Sequence, residues 1–212
     1  MRLIDTHSHL FLEEFSEDLP QVIERARSAG VTHIFMPNID STTIDSMLSV
    51  CNTYNDYCFP MIGLHPTSVN ADYEKELEIV ARELKSFNKY IAIGEIGMDL
   101  YWDKTFLKEQ QIVLDKQINW ALEYDLPVVI HCRDAFGYIY NVLEPYKNTS
   151  LKGIFHSFTG TDDEAARILE FSGFLIGING VVTFKKSRLP EVLTKIPLEK
   201  IVLETDSPYL TP

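Results

Sequence analysis

A chain of 212 residues with 45% apolar and 24% charged side chains is long enough for one substantial core, and its composition excludes a disordered, collagenous or repeat protein. The net charge of −12 excludes a broad electrostatic footprint on nucleic acid or anionic lipid, although cations held in a carboxylate-rich pocket can reverse the local field. No stretch is apolar enough to span a membrane, no secretory leader precedes the first strand, and Cys51, Cys58 and Cys132 form no C-x-x-C pair, so the expectation is one cytoplasmic domain with reduced thiols.

The first strand reads Leu3-Ile4-Asp5-Thr6-His7-Ser8-His9. Alternation along an extended backbone puts His7 and His9 on one face, where two imidazoles can share a metal. A helix follows, with Ser16 as its cap, Leu19, Val22, Ile23 and Ala26 as its apolar stripe and Gly30 as its stop. The next elements are a strand at 32–36, a helix at 43–53, a strand at 58–62, a helix at 72–87 and a strand at 90–94 that ends at Glu95. A long helix over 104–124 leads to the strand Pro127 to His131, and a helix over 136–144 leads to the strand Lys152 to His156. A helix at 162–171, a strand at 173–178, a short helix at 189–195 and an eighth strand at 200–204 running into Thr205-Asp206 complete the series.

Eight strands apolar on both faces, alternating with helices, predict an α/β fold of the (β/α)8 TIM-barrel type. An open doubly wound sheet is second choice, because no Gly-rich phosphate loop follows the first strand. The final helix after strand eight is missing from this expectation, so the seam between strands eight and one is expected to be exposed, covered by a neighbouring subunit in a homo-oligomer, or covered by the C-terminal tail.

In such a barrel the carboxyl ends of the strands meet on one face. Those ends carry His7, His9, His65, Glu95, His131, His156 and Asp206. His33 begins its strand and reads as structural. Four imidazoles and two carboxylates suit two divalent metals bridged by a carboxylate with a water or hydroxide between them, and Glu95, flanked by glycines in Gly94-Glu95-Ile96-Gly97, is the central candidate. His131 and His156 would complete the second metal. Zinc, manganese and magnesium all remain open, with magnesium or manganese favoured for activity.

The assembled set resembles the TatD family of metal-dependent deoxyribonucleases, within the amidohydrolase superfamily. The carriers are the first-strand motif, Gly63-Leu64-His65-Pro66, Gly94 to Asp99, His131-Cys132-Arg133-Asp134-Ala135, His156-Ser157-Phe158-Thr159-Gly160 and Glu204-Thr205-Asp206-Ser207-Pro208-Tyr209-Leu210, across essentially the whole chain. The resemblance implies that His7, His9, Glu95 and Asp206 surround one metal and that Glu95, His131 and His156 hold the other. It also implies a deoxyribonuclease acting on single-stranded DNA ends, and a substrate contact for His65. A small amide, ester or lactone is the alternative substrate, and a non-catalytic binding module the alternative to an enzyme.

The residues themselves suggest further roles. Asp206 can act as general base as well as ligand, or cap the following turn. Arg133 can clamp a phosphate oxygen or form a salt bridge. Glu204 shares the strand face of Asp206 and can orient a ligand. Tyr101, Trp102 and Phe158 can stack on bases at the mouth or simply pack loops. Asp99 and Asp103 read as solvated loop charges without a role.

Overall fold

The computed structural model describes residues 2–86 and 89–210. Eight parallel strands alternate with seven helices: β1 (Leu3–Asp5), α1 (Leu19–Ser28), β2 (Val31–Pro37), α2 (Ile44–Thr53), β3 (Cys58–Met61), α3 (Tyr73–Ser86), β4 (Ile93–Asp99), α4 (Leu107–Glu123), β5 (Val128–Arg133), α5 (Phe136–Leu143), β6 (Gly153–Phe155), α6 (Asp162–Leu169), β7 (Phe174–Ile178), α7 (Leu189–Leu193) and β8 (Ile201–Leu203). This is the (β/α)8 barrel. No helix among the described residues is long and apolar enough to cross a membrane.

Local chemistry explains most of the elements. In α6, Thr161 and Glu164 form a reciprocal capping box, and Ala165 and Ile168 face inward. The buried face of α3 is Leu77, Val80 and Leu84; the Phe87 end expected for this helix lies outside the described residues. Gly30, at φ 92°, takes the left-handed conformation that stops α1. The cap of that helix is Asp18 and not Ser16, which closes a short 3₁₀ turn over Glu13–Phe15. Phe155 and Phe174 fill the interior with Met36, Ile93, Ile96 and Ile130. Each such side chain contributes roughly 1.5–3 kcal/mol by leaving water.

The ladder is not one continuous ring. β1–β2–β3 and β4 to β8 form two parallel sheets. They meet through single bridges, Ile62 with Ile93 at one junction and Ser8 with Ser207 at the other. At the second junction Thr6 N donates to Leu203 O (3.1 Å), Asp206 N to His7 O (2.9 Å) and His9 N to Ser207 O (2.8 Å). The regular first strand is shorter than expected: beyond Asp5 the backbone bonds alternately to both sides, Ser8 N to Phe35 O of β2 (3.1 Å) and Thr6 N and His9 N to Leu203 and Ser207. Outside this seam Ile4 is 44% and Leu203 54% exposed, so among the described residues nothing covers it.

β4 begins and ends later than expected and runs through Glu95 to Asp99. Gly97, opposite His131, sits at φ 140°, and a β-carbon there would lie 2.0 Å from the His131 carbonyl oxygen. Gly97→Ala is expected to destabilise the protein by about 3 kcal/mol or more, combining backbone strain with overpacking. Urea unfolding measures it; a loss below about 1 kcal/mol would show that the β4–β5 register is wrong.

Candidate metal centre

All the sequence-predicted ligands come to the carboxyl-terminal end of the barrel. Glu95 and His131 stand on β4 and β5, His156 directly follows β6, and His7, His9 and Asp206 lie on the extended segments just past β1 and β8. His7, His9, Glu95, His156 and Asp206 are buried. Glu95 is central, and its two oxygens face different imidazoles. Oε2 lies 3.0 Å from His7 Nε2 and 3.7 Å from His9 Nε2. Oε1 lies 2.9 Å from His131 Nδ1, 3.4 Å from His65 Nε2 and 3.7 Å from His156 Nε2. Asp206 Oδ1 is 3.8 Å from His7 Nε2 and 3.7 Å from both His9 Nε2 and His156 Nε2. The His156 ring stacks on His7 with centroids 3.4 Å apart, so His156 stands between the two groups.

This donor set fits divalent cations. His7 Nε2 and His9 Nε2 approach to 3.2 Å, and two such nitrogens share at most one proton. Nitrogen and oxygen donors bound at about 2.0–2.2 Å to one cation lie roughly 3.0–3.6 Å from each other, close to the separations around Glu95 Oε2. Three combinations bring their donor atoms within 4.8 Å of one another: His7 with His9 and Glu95, His7 with His156 and Asp206, and His65 with Glu95 and His131. The last places His65 nearer the centre than a rim contact would be.

Burial and mutual charge set the protonation states. Burial would raise the Glu95 carboxyl, yet the imidazoles of His7, His65 and His156 hold it well below the usual range. Burial pushes His9 down to about 3, which favours a neutral, ligating imidazole, and it also lowers His65. For His156 burial is overcome by Glu204 and Glu95, which bring it up to about 10, and the Asp206 carboxyl is raised by burial.

A second layer of carboxylates holds these groups. Glu204 Oε1 lies 3.0 Å from His156 Nδ1 and accepts a hydrogen bond from Ser157 N. Gly177 makes the room, since a β-carbon there would meet Glu204 Oε2 at 2.5 Å. Gly177→Ala is therefore expected to lower kcat by about 10- to 100-fold, the effect of disturbing a ligand's outer partner. Steady-state rates beside a melting curve test this, and unchanged kcat would remove Glu204 from the machinery.

Three supports escaped the sequence reading. Asp99 is buried and accepts from His131 Nε2 at 3.0 Å, so it is no solvated loop charge. Gln110 on α4 fixes it, accepting from Asp99 N and donating to Asp99 O. Asp5 accepts from Thr205 N (2.9 Å), Thr205 Oγ1 (2.7 Å) and His7 N (3.3 Å), tying the two histidine-bearing and aspartate-bearing segments together. Alternation along β4, which puts Glu95, Gly97 and Asp99 on one face, was the available signal for Asp99.

The centre opens into a cavity of about 630 Å³ lined by His65, Trp102, Cys132, Arg133, Thr159 and Tyr209 among others. Arg133 forms no ion pair among the described residues; its guanidinium carbon lies 3.9 Å from the Tyr101 ring centre and 5.2 Å from that of Trp102. Both aromatic residues are exposed, whereas Phe158 is buried with the core and lines only a smaller cavity beside Cys132, His156 and Thr159. Its carboxyl-side position after β6 suggested the rim, but its ring turns inward. His33 stacks on Phe59, away from the centre.

Comparison with known proteins places this arrangement. The family model described as TatD related DNase matches residues 4–212. The chain belongs to the TatD family. It is 37% identical over 211 residues to the uncharacterized metal-dependent hydrolase YabD of Bacillus subtilis, covering 99% of this chain and 82% of that protein. It is 32% identical to the 3'-5' ssDNA/RNA exonuclease TatD of Pantoea ananatis, covering 99% and 81% of the two chains. The crystal structure of the TatD homologue YjjV from Escherichia coli superposes with a TM-score of 0.89 at 33% identity, covering 99% of this chain and 80% of the other. TatD membership makes this a metal-dependent hydrolase acting on ester bonds, and the His, Glu and Asp groups at the barrel mouth could hold its metal.

Proposed function

We propose that the protein is a metal-dependent deoxyribonuclease that releases nucleotides from the ends of single-stranded DNA, using two divalent cations, magnesium or manganese, that share Glu95. The observation that carries this reading is the division of Glu95 between two imidazole groups, His7 and His9 at Oε2 and His131 with His65 and His156 at Oε1. His7, His9, Glu95 and Asp206 would hold one cation, and Glu95, His131 and His156 the other. Cations held there supply Lewis acidity toward a phosphoryl oxygen and make water acidic enough to attack near neutral pH.

The remaining chemistry belongs to the protein. The Asp206 carboxylate, raised by burial and aimed into the centre, accepts the proton of the attacking water. The Arg133 guanidinium sits over the Tyr101 ring without an ion-pair partner among the described residues, which leaves its planar fork available to a phosphate at the cavity wall. His65, hydrogen-bonded through Nδ1 to Thr67, presents Nε2 to the substrate side of Glu95 and donates to the departing oxygen. A packed barrel interior closes the floor of the cavity. The relatives named as ssDNA/RNA exonucleases support the same substrate class. Three free cysteines suit work in the reducing cytoplasm.

The test uses 5'-labelled and 3'-labelled single strands with chelated protein, with and without magnesium or manganese. Release should appear only with metal and start from one end. Folded protein that releases nothing with any metal, yet turns over a small lactone or amide, would overturn the nuclease reading.

A further inference from the structure

The chain is acidic overall, yet from Phe171 to Pro190 it carries no acidic residue, and Lys185, Lys186 and Arg188 fall within four positions. All three are exposed, as is Phe184 at 42%. Lys185 and Lys186 make no ion pair among the described residues. Arg188 has only Glu191 at 3.9 Å, with both side chains more than three-quarters exposed, an arrangement worth little.

This segment is fixed to the cavity. It leaves the carboxyl end of β7 at Asn179, whose side chain donates to Ser157 Oγ (2.7 Å) and accepts from Val181 N (3.1 Å). Val181 and Ser157 line the cavity. Two successive turns, Phe184 N to Val181 O and Ser187 N to Phe184 O, then carry the basic side chains outward from the same end of the barrel. The molecule therefore has a metal-ligating floor, an Arg133–Trp102 wall and, beyond Val181, a cationic shelf with an exposed aromatic ring. Unpaired cations beside an aromatic face are the elements with which single-strand binders follow a phosphodiester backbone.

We propose that Phe184, Lys185, Lys186 and Arg188 bind the backbone of the strand that leads away from the nucleotide being released, a role that rests on the single-strand substrate reading above. The shelf makes the enzyme hold long strands better than short ones. Binding by itself, separate from cleavage, is the direct readout.

The experiment compares the wild type with the K185Q/K186Q/R188Q variant and with a K185R/K186R control, measuring fluorescence anisotropy of a labelled single strand of about twenty nucleotides without metal. Three phosphate contacts at about 0.7 each predict that the slope of log affinity against log salt falls by about 2 in the glutamine variant, which weakens binding on the order of tenfold at low salt. The arginine control should keep the wild-type slope. With magnesium or manganese added, turnover of a dinucleotide, too short to reach the shelf, should be equal in all three proteins. An unchanged slope in the glutamine variant, or a wild type that binds no strand, overturns the proposal. So does binding only to phosphatidylserine vesicles that the variant loses. Strand binding lost in the variant while no protein cleaves DNA would retain the shelf and overturn the nuclease reading instead.

Discussion

Glu95→Gln should reduce turnover by at least about 10³-fold while leaving the barrel folded. The amide has the carboxylate's shape, and Glu95 lies at the end of the core where the nearest groups are imidazoles and not packed apolar side chains. Its backbone and its neighbours Ile93 and Ile96 keep their packing. What changes is charge. One buried carboxylate faces His7 and His9 with one oxygen and His131, His65 and His156 with the other, so a single substitution weakens both donor groups. An amide also brings two N–H donors, one of which must point at ring nitrogens meant to donate lone pairs. Calorimetric titration with manganese should show two sites in the wild type and a large loss of affinity at both in the variant. Activity within about tenfold of wild type, or one site lost with the other intact, would reject Glu95 as the shared ligand.

Asp206→Asn should lower kcat by about 10³-fold with a smaller change in KM. Asp206 has φ 58°, a left-handed conformation that asparagine also tolerates, and its backbone N–H to His7 O and its carbonyl to Tyr209 N stay intact. The fold therefore has little reason to respond. The side chain loses the capacity to accept a proton, and its Oδ1, within 3.8 Å of three imidazole nitrogens, loses its charge. Because His7, His9 and Glu95 remain, metal affinity should fall less than in Glu95→Gln. A variant whose KM rises with kcat unchanged would make Asp206 a substrate contact and not the base.

The alternation of apolar runs with helical stripes was enough to read eight strands and the seven helices between them, and strand-end chemistry was enough to nominate the residues now found around Glu95. Other features depend on relations between strands that a linear pattern does not contain. His7 and His9 reach the centre although β1 stops at Asp5, because the segment is held by Leu203, Ser207 and Thr205 from the far end of the chain. The division of the barrel into two ladders follows from register at Ile62–Ile93 and Ser8–Ser207. Asp99 was misread because β4 was ended at Glu95, before the alternation that carries Asp99 inward. Of the two alternatives for Arg133, the salt bridge is not taken among the described residues, since its guanidinium sits over the aromatic rings of Tyr101 and Trp102. The cationic segment at 185–188 vanished within a whole-chain charge of −12.

The clasp between Asp5 and Thr205 joins residues 200 positions apart. Closing so long a loop carries a large entropic cost and comes late in folding, after the local βα units have formed. During synthesis, domains take shape as the chain emerges from its N-terminal side, so His7 and His9 are made first and wait for Thr205 and Asp206 until the eighth strand has left the ribosome. The hydrolytic centre is consequently latent in every partial chain, and a nascent or truncated polypeptide lacking that strand carries the histidines without the carboxylate-bearing segment that completes their cluster.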